Sequence, residues 1–363
     1  MEREKIMSNK EKCFNLINEL GADGMLICDE ANMHYLCSFS PSEGMILLSK
    51  DGAAYHLVDS RYTETAQNHA MKTGLEVIEI DKSFFEELKG LIAKHGIKSL
   101  IFENETISFA RYEKLCSELE GVELIKLGSR LMRIRNRKSA DEIELMKKAN
   151  EIAEKSFLEL LNFVEAGKTE KELAAQFDYI MAKNGSHGLS FDTILLSGAR
   201  TSMPHGVPSD NILKSGDFVL FDFGATYEGY HSDMTRTIAL GSATDEMREM
   251  YYLVLKSQLA GIDALKAGAP CKEVYQAAWD VLNEKNMAQY FRHGLGHGVG
   301  IEIHEGFSSS PKSEDIYEIG NVTSVEPGIY LPDKFGIRIE DVCIVTENGN
   351  ENISTINKEL LIV

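Results

Sequence analysis

Residues 218–240 read FVLFDFGATYEGYHSDMTRTIAL. Apolar side chains dominate both arms and Gly229 near the middle permits a reversal, so the stretch is expected to fold as a β-hairpin. In a symmetric hairpin turning around Tyr227 and Glu228, Asp222 faces Asp233. Directly opposed strand residues hold their Cβ atoms about 4.5–5.5 Å apart. Two carboxylates at that distance in an apolar β environment repel each other and resist desolvation. Something positive has to lie between them, and a pair of divalent ions is a natural answer.

A second stretch of the same kind, VTSVEPGIYLPDKFGIRIEDVCIV over residues 322–345, places Glu326 and Glu340 among valines and isoleucines, where an unpaired charge is costly. Between the two lies HGLGHGVGIEIHE, residues 293–305. Its three histidines, His293, His297 and His304, sit amid glycines that let the backbone approach closely, which points to a site rather than a surface. Four carboxylates would bring about four negative charges against the four positive charges of two divalent cations. Oxygen-rich ligation with one imidazole favours manganese, cobalt or zinc over thiol-loving ions. Turn-flanking acids and a plain Gly-His loop explain any one of these residues, but not all five in this order.

Working outward, Ser139 with Glu142 and Thr169 with Glu172 are capping boxes that open two helices, the second running to about Lys183. Ile143, Met146, Ala149, Ile152, Ala153, Phe157 and Leu160 form one apolar stripe on the first. Ala166-Gly167 followed by Lys171-Glu172 returns as Ala267-Gly268 followed by Lys272-Glu273, each copy ahead of one of the two strand-rich stretches. The C-terminal part therefore reads as two helix–helix–hairpin halves. The first 130 residues alternate short strands and helices, with a hairpin at Lys50-Asp51-Gly52 and a helix over Phe84 to His95, and contain no dense cluster of reactive side chains. A boundary is expected near the basic run from Arg130 to Lys138.

The chain has 363 residues, 43% hydrophobic and 26% charged, enough for two domains with packed cores. Thirty-eight basic against 57 acidic residues leave a net charge of −19, which argues against nucleic-acid and anionic-membrane partners. No apolar run approaches the roughly 20 residues that span a bilayer. The polar start Met1-Glu2-Arg3-Glu4-Lys5 gives no expectation of a secretory leader. Six scattered cysteines without a CxxC pair read as lone buried thiols in a reducing compartment.

Residues 220–225, 229–237, 293–304, 324–328 and 336–341 together resemble the pita-bread-fold metallopeptidases, the family of aminopeptidase P, prolidase and methionine aminopeptidase. The resemblance runs over the whole chain and lies nearest the short bacterial Xaa-Pro peptidases. It implies an α/β (α+β) fold, with a creatinase-like α/β domain over residues 1–131 and a duplicated pita-bread catalytic domain over 132–363. It implies five metal ligands, Asp222, Asp233, His297, Glu326 and Glu340. Asp233 and Glu340 would bridge both ions, Asp222 would complete one site, and His297 with Glu326 the other. His205 would contact substrate near the scissile amide, His304 would help stabilise the tetrahedral intermediate, and His293 would lie near the residue after the cut. Arg338 would pair with a substrate carboxylate or hold Asp233 and the bridging region. Glu326 is the candidate proton shuttle.

The implied activity is that of an Xaa-Pro aminopeptidase, with a dipeptide-restricted Xaa-Pro dipeptidase as the alternative. The implied cofactors are two divalent ions, Mn2+ ahead of Co2+ or Zn2+. Small peptides with proline second would be the substrates of a cytoplasmic homodimer. Asp59 and Arg61 are candidates for reaching a neighbouring subunit's site, against an ordinary surface ion pair. A non-catalytic peptide-binding module on the same fold is the rival class. Such proteins typically lose ligands, and none is missing here.

Overall fold

Short apolar runs alternating with capped helices build a six-stranded mixed sheet in the N-terminal part of the computed structural model, which describes residues 7–363. The polar Met1–Lys5 start lies outside the described residues. The strand order is Glu76–Glu79, Ala54–Val58, Gly44–Ser49, Gly24–Ile27, Ser99–Phe102, Glu123–Lys126. The Gly44–Ser49 and Ala54–Val58 strands pair antiparallel around Lys50-Asp51-Gly52, and the Phe84–His95 helix forms where its apolar spacing places it. Asp59 and Arg61 pair with each other at 2.6 Å on the surface of this unit. All six cysteines are free. Most are buried as expected, but Cys116 is exposed on the Phe109–Glu118 helix, because that helix buries only Leu115.

The contacts divide the chain into two units, the second running from Asn136 to Val363. Both expected capping boxes close. Ser139 and Glu142 start the Ala140–Leu160 helix, and Thr169 and Glu172 start Glu170–Lys183. Reciprocal caps of this type satisfy helix-end amides that would otherwise stay unpaired.

The duplication is visible in backbone geometry. Gly167 N–H donates to Leu213 O at 3.0 Å, and Gly268 N–H to Tyr317 O at 2.8 Å. An isolated antiparallel bridge follows each, Thr169 with Ile212 and Pro270 with Ile316. The side-chain cap is not repeated, since the Cys271–Asn283 helix begins after Pro270 without one.

Each half ends in a β-ribbon broken at its middle. The first ribbon comprises Phe218–Phe223, Ala225–Tyr227, Tyr230–His231 and Met234–Ala239. The second comprises Val322–Val325, Gly328–Leu331, Phe335–Arg338 and Asp341–Thr346. Strand alternation sends Phe221 and Phe223 to one face and Asp222 to the other. Phe157, Phe177, Phe221 and Phe223 pack as one aromatic group, with Phe177 and Phe223 ring centroids 4.6 Å apart. In the second ribbon Ile337 and Ile339 are buried in the core with Val254, Leu282 and Leu295, while Arg338 and Glu340 face away from it. Both ribbons thus anchor an apolar face on helices and turn their charged face toward each other.

Candidate metal centre

The charged faces of the two ribbons converge on one cavity of about 580 Å³. Asp222, Asp233, His297, Glu326 and Glu340 all line it, and so do His205, His293, His304 and Arg338. The expected convergence is therefore observed, but one register differs. Asp222 pairs with Thr235 rather than facing Asp233. The reversal falls at Glu228-Gly229, whose φ values of 47° and 77° make a two-residue turn with both positions left-handed. Such turns match the twist of the flanking strands, and glycine takes the second position without strain. Asp233 consequently sits in the break between Tyr230–His231 and Met234–Ala239, diagonal to Asp222. In the second ribbon, Gly328 pairs with Arg338 and Val325 with Asp341, a register that sets Glu326 across from Glu340.

The donor set fits divalent cations. Ligating atoms of Asp233, His297 and Glu340 all lie within 4.8 Å of one another. His297 Nε2 stands 3.5 Å from both Asp233 Oδ2 and Glu326 Oε1. Its Nδ1 lies 3.1 Å from Gly298 O. With the proton on Nδ1 donating to that carbonyl, the Nε2 lone pair faces the carboxylates. Burial, with a smaller effect from His304, lowers His297 to about 4, so the ring is neutral and free to ligate. Asp222 Oδ1 is buried without a hydrogen-bond partner, an orphan that a cation would satisfy.

Without cations the carboxylates cannot all ionise. Burial and then the Asp222 charge raise Asp233 well above the usual carboxylate range. Burial and then Asp233 do the same to Glu340. Burial pushes Glu326 up to about 8. These groups are poised to give up protons when positive charge arrives.

The sequence profile of metallopeptidase family M24 matches residues 144–347, and that of the creatinase/prolidase N-terminal domain matches residues 10–137. The chain belongs to metallopeptidase family M24. Peptide-bond hydrolysis with divalent metal ions follows from that membership, as does the fold of a creatinase-like domain followed by a pita-bread domain. This M24 chain is 39% identical over 353 residues to "Uncharacterized peptidase YqhT" of Bacillus subtilis, covering 97% of this chain and 99% of that one. It is 36% identical over 352 residues to an Xaa-Pro dipeptidase of Pyrococcus furiosus, covering 97% and 99%. Among solved structures, an Xaa-Pro dipeptidase from Bacillus anthracis superposes with a TM-score of 0.93 at 37% identity, covering 98% of this chain and 99% of that one. An X-Pro aminopeptidase from Thermotoga maritima superposes at 0.92, also at 37% identity, covering 98% and 100%.

Around the M24 centre, several side chains act that the motif reading did not single out. Thr235 Oγ1 donates to Glu340 Oε2 at 2.7 Å and accepts from Arg338 Nε at 3.0 Å. Arg338 pairs through Nη2 with Asp222, not with Asp233, because Asp222 is the acid that the register places opposite Thr235. Arg338 Nη1 donates to Tyr330 Oη at 2.7 Å, and Tyr330 Oη lies 2.8 Å from His293 Nε2. Burial pushes Tyr330 up to about 12, so its hydroxyl keeps the proton and donates it to His293. His293 Nδ1 lies 2.7 Å from Gly294 O, and burial with Arg338 nearby lowers the ring to about 4. Both ring nitrogens of His293 are thus used inside the M24 fold.

Behind Glu340, Arg236 Nη1 donates to its backbone oxygen at 2.6 Å and Arg236 Nη2 to Asp341 at 2.7 Å. Although burial opposes ionisation, Arg236 and Lys358 hold Asp341 down to about 2. Glu305, next to His304, is ion-paired with Lys138 at 2.6 Å. The signal for Thr235 was present in the sequence, since it stands two residues after Asp233 on the same strand face. Tyr330, a polar-tipped ring between Ile329 and Leu331, carried no comparable mark.

Gly296 marks how tightly the histidine segment is threaded. A Cβ there would stand 1.9 Å from Ser324 O. Only glycine lets the Gly296–Gly298 strand lie against Val322–Val325 and hold His297 over the centre. No helix among the described residues is long and apolar enough to cross a membrane.

Proposed function

We propose that this M24 metallopeptidase cleaves the bond between an N-terminal residue and proline, as an Xaa-Pro aminopeptidase. The observation that carries the reading is the convergence of all five candidate ligands in one cavity with apolar walls. Phe191, Ile194, Pro204, Val207, Pro208 and Ile303 supply those walls. A proline ring suits such a surface, and its tertiary amide brings no N–H that would need an acceptor. The relatives named Xaa-Pro dipeptidase and X-Pro aminopeptidase support the same bond and favour the dipeptide-restricted alternative equally.

Asp222, Asp233, His297, Glu326 and Glu340 hold the ions in this reading, with Mn2+ ahead of Co2+ or Zn2+. Once bound, two such ions supply a water of lowered pKa and a Lewis acid for the scissile carbonyl. Glu326 moves the proton. Its Oε1 accepts from Ser324 at 3.3 Å, and Oε2 is left to pass a proton to the leaving nitrogen. His304, exposed and with its ring centroid 4.1 Å from that of His297, and His205, exposed in the lining of the same cavity, present donors to the substrate carbonyls. His293 acts as a fixed wall for the residue after the cut rather than as a donor. Arg338 is a positioning residue that holds Asp222.

Residues 132–363 form the catalytic domain in this proposal and residues 1–131 the accompanying domain of a cytoplasmic homodimer. The test is release of the first residue from Xaa-Pro-Yaa peptides by protein loaded with manganese, cobalt or zinc in turn. Intact Xaa-Pro peptides alongside cleaved Xaa-Ala peptides would remove the proline assignment. A protein that takes up no stoichiometric metal and cleaves neither would be a binding module.

A further inference from the structure

Part of the cavity wall is a loop tied down from behind. Pro204, His205, Gly206, Val207 and Pro208 line the cavity one after another, on the chain that follows the Ile194–Ser197 strand. Pro204 and Pro208 bring no N–H, so the stretch has few backbone donors of its own. Gly206 N–H donates to Met203 O at 3.0 Å, and Arg200 Nη2 donates to Val207 O at 2.7 Å. Among the described residues, these are the hydrogen bonds that hold residues 204–208. Behind the loop, Glu170 opens the Glu170–Lys183 helix with its side chain fully buried. Its Oε1 accepts from Ser197 N–H at 2.8 Å and Asn211 Nδ2 at 3.3 Å, and its Oε2 from Ser209 N–H at 3.0 Å and Ser209 Oγ at 2.8 Å. One carboxylate thus gathers both ends of the loop, and a buried acid needs such a shell of donors. Arg200 Nε completes the shell, 3.2 and 3.0 Å from the two oxygens.

The Arg200 side chain is 29% exposed where that of Glu170 is 0%, so the guanidinium spans from the buried hub to the cavity wall. An ion pair that only stabilised the hub would not need the second arm. Ser197, Ser209 and Asn211 already supply Glu170 with donors, and the bond from Nη2 to Val207 O lies outside that shell. What the second arm fixes is the backbone two residues after His205. Resting on the reading above in which His205 offers a donor to substrate, we propose that Arg200 is a positioning residue. Its fork locks residues 204–208 and sets His205 in place before substrate arrives. A site that is competent only part of the time binds with an affinity reduced by that fraction, while the bound complex is unchanged. Loss of the strut therefore raises KM rather than lowering kcat.

The test compares the full-length manganese-loaded protein with its Arg200→Lys variant on Ala-Pro-Ala. Lysine keeps a cation beside Glu170, but its single nitrogen cannot bridge to Val207 O as the planar fork does. KM should rise about three- to tenfold, the size of one hydrogen bond, with kcat changed less than about twofold. Bound manganese per chain and the urea midpoint should stay as they were. Hydrogen exchange in the peptide covering residues 202–209 should quicken by a similar factor, which reads the wall without turnover. His205→Gln should raise KM by itself, and adding Arg200→Lys to it should raise KM no further. A KM unmoved by Arg200→Lys, or a fall in the urea midpoint alone, overturns the proposal, because Arg200 would then be a stability element. So do KM effects of the two variants that multiply in full, because Arg200 would then act apart from His205. If Ala-Pro-Ala stays intact while Ala-Ala-Ala is cleaved, the Xaa-Pro reading falls, and the KM comparison on Ala-Ala-Ala decides the role of Arg200 by the same outcomes.

Discussion

The two ribbons do the same job with different registers. In the first, a two-residue turn at Glu228-Gly229 sets Asp222 opposite Thr235 and leaves Asp233 on the diagonal. In the second, the chain reverses through Pro332, Asp333 and Lys334, with Asp333 at φ 61°, and Glu326 stands across from Glu340. The offset in the first ribbon opens a place for Thr235, which reaches across to Glu340 of the second. Arg338 of the second reaches back to Asp222 of the first. A pair of identical ribbons would place two acid pairs face to face and nothing between them to orient either. The mismatch is what laces them together, and it shows that duplicated units diverge most usefully in register, where a shift of one pair changes which side chains meet.

Several measurements can break or sharpen that comparison. The largest expected effect comes from removing one acid of each ribbon. Asp233→Asn and Glu340→Gln should each lower kcat/KM by about a thousandfold or more, since losing metal-based stabilisation is worth several kcal/mol. Bound metal per chain, read by elemental analysis, should fall with it. If only one ribbon's variant is affected, the two halves are not equivalent partners.

Arg338→Met leaves the part-buried Asp222, whose Oδ1 already lacks a partner, without its guanidinium, which should cost about 1–3 kcal/mol of metal-free stability in urea unfolding. Thr235→Val cuts the link between ribbons and should weaken metal affinity by about 10–100-fold. Ser324→Ala, which touches Glu326 within its own ribbon, should cost less. Equal effects would mean that lacing is unimportant.

The metal-free protein should also lose stability as pH rises. Folded Glu326 keeps its proton up to about 8, against 4.5 ordinarily, and Asp233 and Glu340 are shifted the same way. These acids keep protons that the unfolded chain has lost, whereas His56, His293 and His297, lowered by burial from 6.5 to about 4, have lost protons that the unfolded chain keeps, so the two largely offset up to about 6.5. The net decline in stability therefore falls chiefly between about 6.5 and about 8, where only the acids still differ. Urea midpoints after chelation should follow that slope, and saturating manganese should flatten it.

The smallest effect is at the turns. Gly229→Ala should cost about 1 kcal/mol, because its φ of 77° strains any side chain. Asp333→Gly should change stability by only a few tenths, since aspartate already tolerates the left-handed region.

Local signals were read from the sequence where one short stretch contains the whole cause. The capping boxes at Ser139 and Thr169, the Phe84–His95 helix and the Lys50-Asp51-Gly52 hairpin each depend on neighbours within a few residues. The five candidate ligands were legible because charge inside apolar strands is expensive and therefore informative. The partners of those ligands were not legible. Arg338 was expected beside Asp233 or a substrate carboxylate, and it holds Asp222. His293 was expected near the residue after the cut, and what its sequence did not show is that Tyr330 and Gly294 take both of its nitrogens.

Sequence alone determined that the C-terminal part of this chain is two helix–helix–ribbon halves carrying four acids and a histidine, because periodicity and buried charge are local properties. Tertiary structure alone decided which acid meets which donor and where Arg338 points. Those outcomes depend on a one-pair shift in a turn and on contacts between residues about 100 positions apart, such as Thr235 with Glu340. No window of neighbouring residues contains that information.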